Sequence, residues 1–230
     1  MKNSTHGGNI YKKAKELGIR EGQILDYSAN ISPLGIPAHI RKAMVDAIEG
    51  TVNYPDPDCT ALRDAIAAQD GAETGWITCG NGGADLLYRL AFGLRPNRML
   101  LPVPAFVEYE EAMTAAGAQM VYAPMGEDMC VRSDLAERIT EDIDLVILCN
   151  PNNPTGALYP REILEEIVKI AREHELIIFS DEIYDRLVMD GLEHISIASI
   201  AGKDVFCVTF SGLSKSHMVA GFRIGWMILS

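Results

Sequence analysis

Two short apolar runs restrict this chain's fold more than any other feature. Leu145-Val146-Ile147-Leu148 and Leu176-Ile177-Ile178-Phe179 carry no alternating polar residue, so a strand built from either presents apolar side chains on both faces. Such a strand must lie in a sheet covered on both sides, as in parallel sheets packed between helices. The same punctuation recurs from about residue 76 to the end. Strands are expected at 76–79, 99–102, 120–123, 145–149, 176–179, 205–210 and 224–229, with helical segments between them. The expected architecture is α/β: a seven-stranded, mostly parallel sheet with helices on both faces.

The clearest intervening helix is 161–175. Ile163, Leu164, Ile167, Ile170 and Ala171 fall on one stripe, and Glu165 precedes Lys169 by four residues on the other. Ahead of the sheet, Pro37 can open a helix carrying Ile40, Met44 and Ile48, whereas Tyr54-Pro55-Asp56-Pro57 must be a turn or extended loop. The chain thus divides into an N-terminal arm and helix, 1–52, and a large domain, 53–230.

A length of 230 residues with 48% hydrophobic composition suffices for a substantial core. The net charge of −12 argues against a duplex nucleic-acid surface, which needs a basic footprint. Small molecules are the expected partners. Cys59, Cys79, Cys130, Cys149 and Cys207 are scattered with no CxxC pair, so they read as buried thiols in a reducing compartment and no metal is expected. The N-terminus lacks the apolar core of a secretory signal, and no apolar run is long enough to span a bilayer. These observations place the protein in the cytoplasm. Residues 225–230 are apolar with no polar tail; termini normally lie at the surface, so a longer polypeptide is expected.

In open α/β sheets ligands bind beyond the carboxyl ends of the strands. Polar clusters stand there: Gly80-Asn81-Gly82-Gly83, 150–156 with Asn153-Pro154-Thr155-Gly156, Asp181-Glu182-Ile183-Tyr184, and Ser211-Gly212-Leu213-Ser214-Lys215. Each in isolation also fits a simpler reading, a turn, a helix cap or a surface charge. Arg223 follows Lys215 by eight residues in Gly221-Phe222-Arg223-Ile224-Gly225.

Taken together, in this order and at these spacings, the clusters resemble fold-type I pyridoxal-phosphate enzymes of aminotransferase class I/II. Residues 1 to about 125, with Asp26-Tyr27-Ser28-Ala29-Asn30 and Phe106-Val107-Glu108-Tyr109-Glu110, are similar to threonine-phosphate decarboxylase and histidinol-phosphate aminotransferase. From about Asn150 onward, Asp181-Glu182-Ile183-Tyr184-Asp185 and Gly212-Leu213-Ser214-Lys215 are more similar to alanine-type aminotransferases. The resemblance implies the large domain of such an enzyme, with its C-terminal small domain and that domain's substrate-carboxylate arginine absent.

The resemblance also implies roles. Pyridoxal 5'-phosphate is the cofactor, held covalently by Lys215, which then moves the proton at the substrate's Cα. Asp181 pairs with the pyridine nitrogen, Asn153 and Tyr184 donate to the phenolic oxygen, and Phe106 stacks on the ring. The N–H groups of Gly82, Gly83 and Ala84, together with Arg223, receive the phosphate, with a hydroxyl from Ser211 or Ser214. Gly212 occupies the position three before the lysine where Ser or Thr is common, so both serines stay candidates. Tyr54 reaches the neighbouring subunit's phosphate in a homodimer. Asn30 lies near the substrate carboxylate or merely shapes a loop, and His6 belongs to a substrate lid or a tail. Three functions follow: an aminotransferase for an amino acid and a 2-oxo acid, a threonine-phosphate decarboxylase, or a non-catalytic cofactor-binding module.

Overall fold

A computed structural model describes residues 7–230; His6 lies outside them. Residues 7–35 and Ile36–Ser230 form two compact units. In the first, helix α1 (Ile10–Leu17) starts where the Asn9 side chain accepts a hydrogen bond from the Lys12 N–H, and it ends at Gly18 in the left-handed conformation.

The second unit is built on seven strands: β1 (Ile77–Gly80), β2 (Arg98–Val103), β3 (Gln119–Pro124), β4 (Leu145–Cys149), β5 (Ile177–Asp181), β6 (Cys207–Gly212) and β7 (Gly225–Leu229). Their order across the sheet is β1-β7-β6-β5-β4-β2-β3. Only β7 runs against its neighbours, antiparallel to both β1 and β6. The expected sheet is therefore present strand for strand, with small differences at the ends. Trp76 closes a 3-10 turn (Thr74–Trp76), its N–H donating to the Glu73 carbonyl, instead of opening β1. β6 begins at Cys207, not at Val205, because Cys207 is the first residue to gain a register partner, Ile178.

Side-chain burial explains the lack of polar alternation in β4. Leu145, Ile147 and Cys149 pack with helices α4 (Gly82–Leu94) and α5 (Val107–Ala115) on one face. Val146 and Leu148 pack with α6 (Arg161–Glu173) on the other. Successive residues point to opposite faces, so a strand between two helical layers must be apolar throughout. α6 buries Leu164, Ile167, Val168, Ile170 and Ala171. It stops two residues before the periodicity does, because Glu175 adopts a left-handed conformation (φ 54°) and Leu176 N–H turns back to the Ala171 carbonyl.

Two further helices precede the sheet: α2 (Ala38–Asp46), opened by Pro37, and α3 (Thr60–Asp70). Ile48, expected on the first of them, instead sits in the following 3-10 turn and is exposed. Ile66 of α3 packs with Ile77 and Trp226 in a small separate cluster. The Pro55-Asp56-Pro57 segment is a loop in which Asp56 accepts from the Asp58 and Thr60 N–H groups. Two short helices, α7 (Ala198–Ala201) and α8 (Leu213–Ser216), flank β6. Among the described residues, no helix is long and apolar enough to cross a membrane, and all five cysteines are free thiols.

Candidate active site

β4, β5 and β6 are parallel and in register, so their carboxyl ends finish side by side: Cys149 is paired with Asp181, and Asp181 with Phe210. Asp181 is the last residue of β5 and faces the α4–α5 side, the face occupied by Phe179 and Cys149. Its carboxylate is fixed at both oxygens. Oδ1 accepts from the Ile183 N–H at 3.0 Å and Oδ2 from the Tyr109 hydroxyl at 2.5 Å. Burial raises the Asp181 carboxyl above its ordinary value, while the Tyr109 and Ile183 bonds and the Lys215 charge oppose that rise.

Tyr109 was not among the residues singled out from sequence. It lies on α5, is only 2% exposed, and meets Phe106 and Phe179 edge-on at centroid distances of 5.5 and 6.2 Å. The available signal was its spacing: three residues after Phe106 places it one helical turn on, on the same face.

Lys215, on α8, is half-buried, and its Nζ stands 5.8 Å from the centre of the Tyr184 ring. Burial pulls its amine below the ordinary lysine value; the Asp181 carboxylate opposes this and the Arg223 charge adds to it. Lys215, Tyr184, Asp181 and Arg223 therefore share one electrostatic neighbourhood. In the preceding loop, Asn152 Oδ1 accepts from the Thr155 N–H and hydroxyl, and Asn150 Oδ1 accepts from the Tyr159 N–H. These bonds turn the chain back at Gly156 (φ 75°) and leave Asn153 half-buried at the bend.

The N-terminus of α4 and Arg223 meet directly. A Cβ on Gly82 would lie 2.6 Å from Arg223 Nη2, and one on Gly225 would lie 3.0 Å from the Gly82 carbonyl carbon. Glycine at both positions is what lets the guanidinium and β7 close onto the first turn of the helix. There the N–H groups of Gly82, Gly83 and Ala84 have no intrahelical acceptor, by the geometry of any α-helix. Gly212 has a similar reason: a Cβ there would stand 2.8 Å from the Ile224 carbonyl oxygen. That contact accounts for the absence of Ser or Thr three residues before Lys215. Ser214 sits beside Lys215 on α8, whereas Ser211 lines a groove of about 850 Å³ on the opposite face with Thr209 and Trp226. Tyr54 is 99% exposed. Asn30 belongs to the first unit.

Residues 22–230 match the sequence profile of aminotransferase class I and II. The chain belongs to this family. It is 34% identical to threonine-phosphate decarboxylase of Salmonella typhimurium over 231 residues, which covers 99% of this chain and 62% of that protein. It is 40% identical to glutamate-pyruvate aminotransferase AlaA of Haemophilus influenzae over 238 residues, 97% of this chain and 59% of that protein. The crystal structure of an aminotransferase from Escherichia coli superposes with a TM-score of 0.85 at 36% identity, covering 97% of this chain and 59% of the other. The chain thus spans about three-fifths of these relatives. Both resemblances seen in the sequence are recovered, and each extends along nearly the whole chain.

Class I and II aminotransferases are pyridoxal-phosphate enzymes, and the residues present suit that group. A buried carboxylate with both oxygens fixed matches a protonated ring nitrogen. A half-buried lysine with a lowered pKa matches a carbonyl partner. A guanidinium packed on a glycine-opened helix N-terminus matches a phosphate.

Proposed function

We propose that the protein is a pyridoxal-phosphate-dependent aminotransferase acting on an amino acid and a 2-oxo acid. The observation that carries this reading is the convergence of Lys215, Tyr184 and the doubly hydrogen-bonded Asp181 at the ends of β5 and β6. Bound there, the cofactor supplies an electron sink for the bond broken at the substrate's Cα.

The chain's own residues do the rest. Asp181 would hold a proton on the pyridine nitrogen, and Tyr109 keeps the carboxylate aimed by occupying Oδ2. Lys215 would hold the cofactor and would carry the proton at the substrate's Cα. Burial and the Arg223 charge help it by favouring the neutral amine. Asn153 and Tyr184 would donate to the phenolic oxygen, and Phe106 would cover one ring face. Gly82, Gly83, Ala84, Arg223 and Ser214 would hold the phosphate. Ser211, on the opposite face of the sheet from the start of α4, is set aside as that hydroxyl. In this reading the enzyme is a cytoplasmic homodimer in which Tyr54 completes the neighbour's phosphate site, Asn30 lies near the substrate carboxylate, and an arginine on a second, smaller domain grips that carboxylate.

The match to threonine-phosphate decarboxylase along 99% of the chain favours a second reading, in which the Cα–carboxylate bond breaks in place of the Cα–H bond. One experiment tests both. The protein is loaded with pyridoxal phosphate, reduced with borohydride and mapped; the label is expected on Lys215. Unreduced protein is then mixed with alanine, glutamate or threonine phosphate while 2-oxo acid and carbon dioxide are measured. Release of 2-oxo acid supports transamination, and carbon dioxide without it supports decarboxylation. A label on another lysine would overturn the assignment of Lys215.

A further inference from the structure

Asp181 has neighbours in the chain that serve a different cluster. Ser180 and Glu182 flank it and point through the sheet to the opposite face, as alternation along a strand requires. Glu182 is 4% exposed. Its Oε1 accepts from the Ser180 hydroxyl at 2.9 Å, the Ser196 hydroxyl at 3.0 Å and the Ile197 N–H at 3.3 Å. Its Oε2 faces His194 Nε2 at 3.6 Å, a nitrogen that is buried with no hydrogen-bond partner among the described residues. His194 in turn donates to the Asn150 backbone carbonyl. Asn150 spreads its side chain between the Tyr159 N–H and the Ile195 carbonyl. The Glu182 carboxyl thus ties the end of β5 to the segment entering α7 and faces, across 3.6 Å, the histidine that bonds the Asn150 loop.

We propose that Glu182 and His194 are a positioning pair for the cofactor site: they remain neutral together, with one proton between Glu182 Oε2 and His194 Nε2, and so hold the Asn150 loop that carries Asn153 in place. The proposal rests on the reading of Asp181 and Asn153 given above. The two carboxyls lie on opposite faces of the strand end, and their surroundings divide the roles. Asp181 has the Lys215 charge and two donors. Glu182 has Asp185, whose charge favours its protonated form, and Cys207 on β6, a thiol that stays protonated in its buried position. Burial raises the Glu182 carboxyl to about 8 and lowers His194 below its ordinary value, which puts the shared proton on Glu182 near neutrality.

Glutamine distinguishes this arrangement from an ion pair, because its amide copies a protonated acid: the oxygen accepts and the other atom donates toward His194. The test compares Glu182→Gln, Glu182→Ala and His194→Leu in the pyridoxal-phosphate-loaded protein. It reads the pH midpoint of the cofactor's visible band, cofactor affinity and thermal midpoint. A nitrogen NMR titration of His194 in the cofactor-free parent is added. The ring is expected to be neutral at pH 7. Glu182→Ala and His194→Leu are expected to move the band midpoint by about one unit and to weaken cofactor binding about tenfold; Glu182→Gln is expected to restore both to parent values. A charged His194 ring would overturn the proposal, as would equal losses in Glu182→Gln and Glu182→Ala. Variants that lower the thermal midpoint alone would reduce the pair to a structural role and overturn it too. A parent that takes up no pyridoxal phosphate would instead sink the reading of Asp181 and Asn153, and the NMR titration would then decide the pair.

Discussion

Asp181 and Tyr109 show how one hydroxyl can govern a buried carboxylate. Replacing Tyr109 with Phe keeps the ring packing against Phe106 and Phe179 but leaves Asp181 Oδ2 buried and unsatisfied. Loss of a hydrogen bond to a charged group is worth about 1.5–3 kcal/mol. Tyr109→Phe should therefore slow Cα-proton exchange by about tenfold to a hundredfold, measured by loss of deuterium from a labelled amino acid. Unchanged exchange would show that Ile183 N–H alone orients the carboxylate. Glu182 gives a second expectation at this scale. Its carboxyl sits at about 8 in the folded state against an ordinary 4.5, so the native state retains a proton that the unfolded chain has released between those values. Stability from this group is full below about 4.5 and is lost as the pH rises through about 8. Urea denaturation across that window should show a decline in the parent that is flatter in Glu182→Gln. Parallel curves would mean that Glu182 titrates normally.

At the scale of elements, the decisive contact is between the start of α4 and the turn before β7. Gly82 has φ 78°, and any side chain there would meet the Arg223 guanidinium. Gly82→Ala should displace that guanidinium from the helix N-terminus, where an anion gains from both the dipole and the free N–H groups. The expected result is at least about a tenfold loss in affinity for pyridoxal phosphate, with little change for pyridoxal, which lacks the phosphate. Equal losses for both compounds would show that the glycine supports the fold and not the phosphate. The periodicity of α6 was legible because its apolar stripe repeats at helical spacing over its whole length. The end of α6 was not, because a left-handed Glu175 is a choice of backbone that no side-chain pattern encodes.

For the whole molecule, the exposure of Tyr54 gives the homodimer reading a test. If Tyr54 completes the neighbour's site, then mixing Tyr54→Ala subunits with Lys215→Ala subunits should rebuild one intact site per hybrid. Random reassociation would restore about a quarter of all sites, although each variant alone is nearly inactive. Absence of recovery in a mixture shown by native mass spectrometry to contain hybrids would mean that Tyr54 serves its own subunit or none.

Seven strands and the face-to-face burial of β4 could be read from local order, because an apolar run without alternation has only one kind of environment to occupy. The clusters holding Lys215, Asp181, Asn153 and Arg223 were visible for a related reason: turn residues after strands mark where a parallel sheet opens to ligand. Tertiary structure alone decided which groups meet. Tyr109 and Asp181 are 72 residues apart in the chain, and Gly82 reaches Arg223 only because β7 inserts antiparallel between β1 and β6. His194 faces Glu182 for the same kind of reason, since the segment before α7 returns over the end of β5. Sequence periodicity reports the environment that each residue needs, whereas the pairing of distant residues depends on strand order and register, which arise from the collective packing of the sheet.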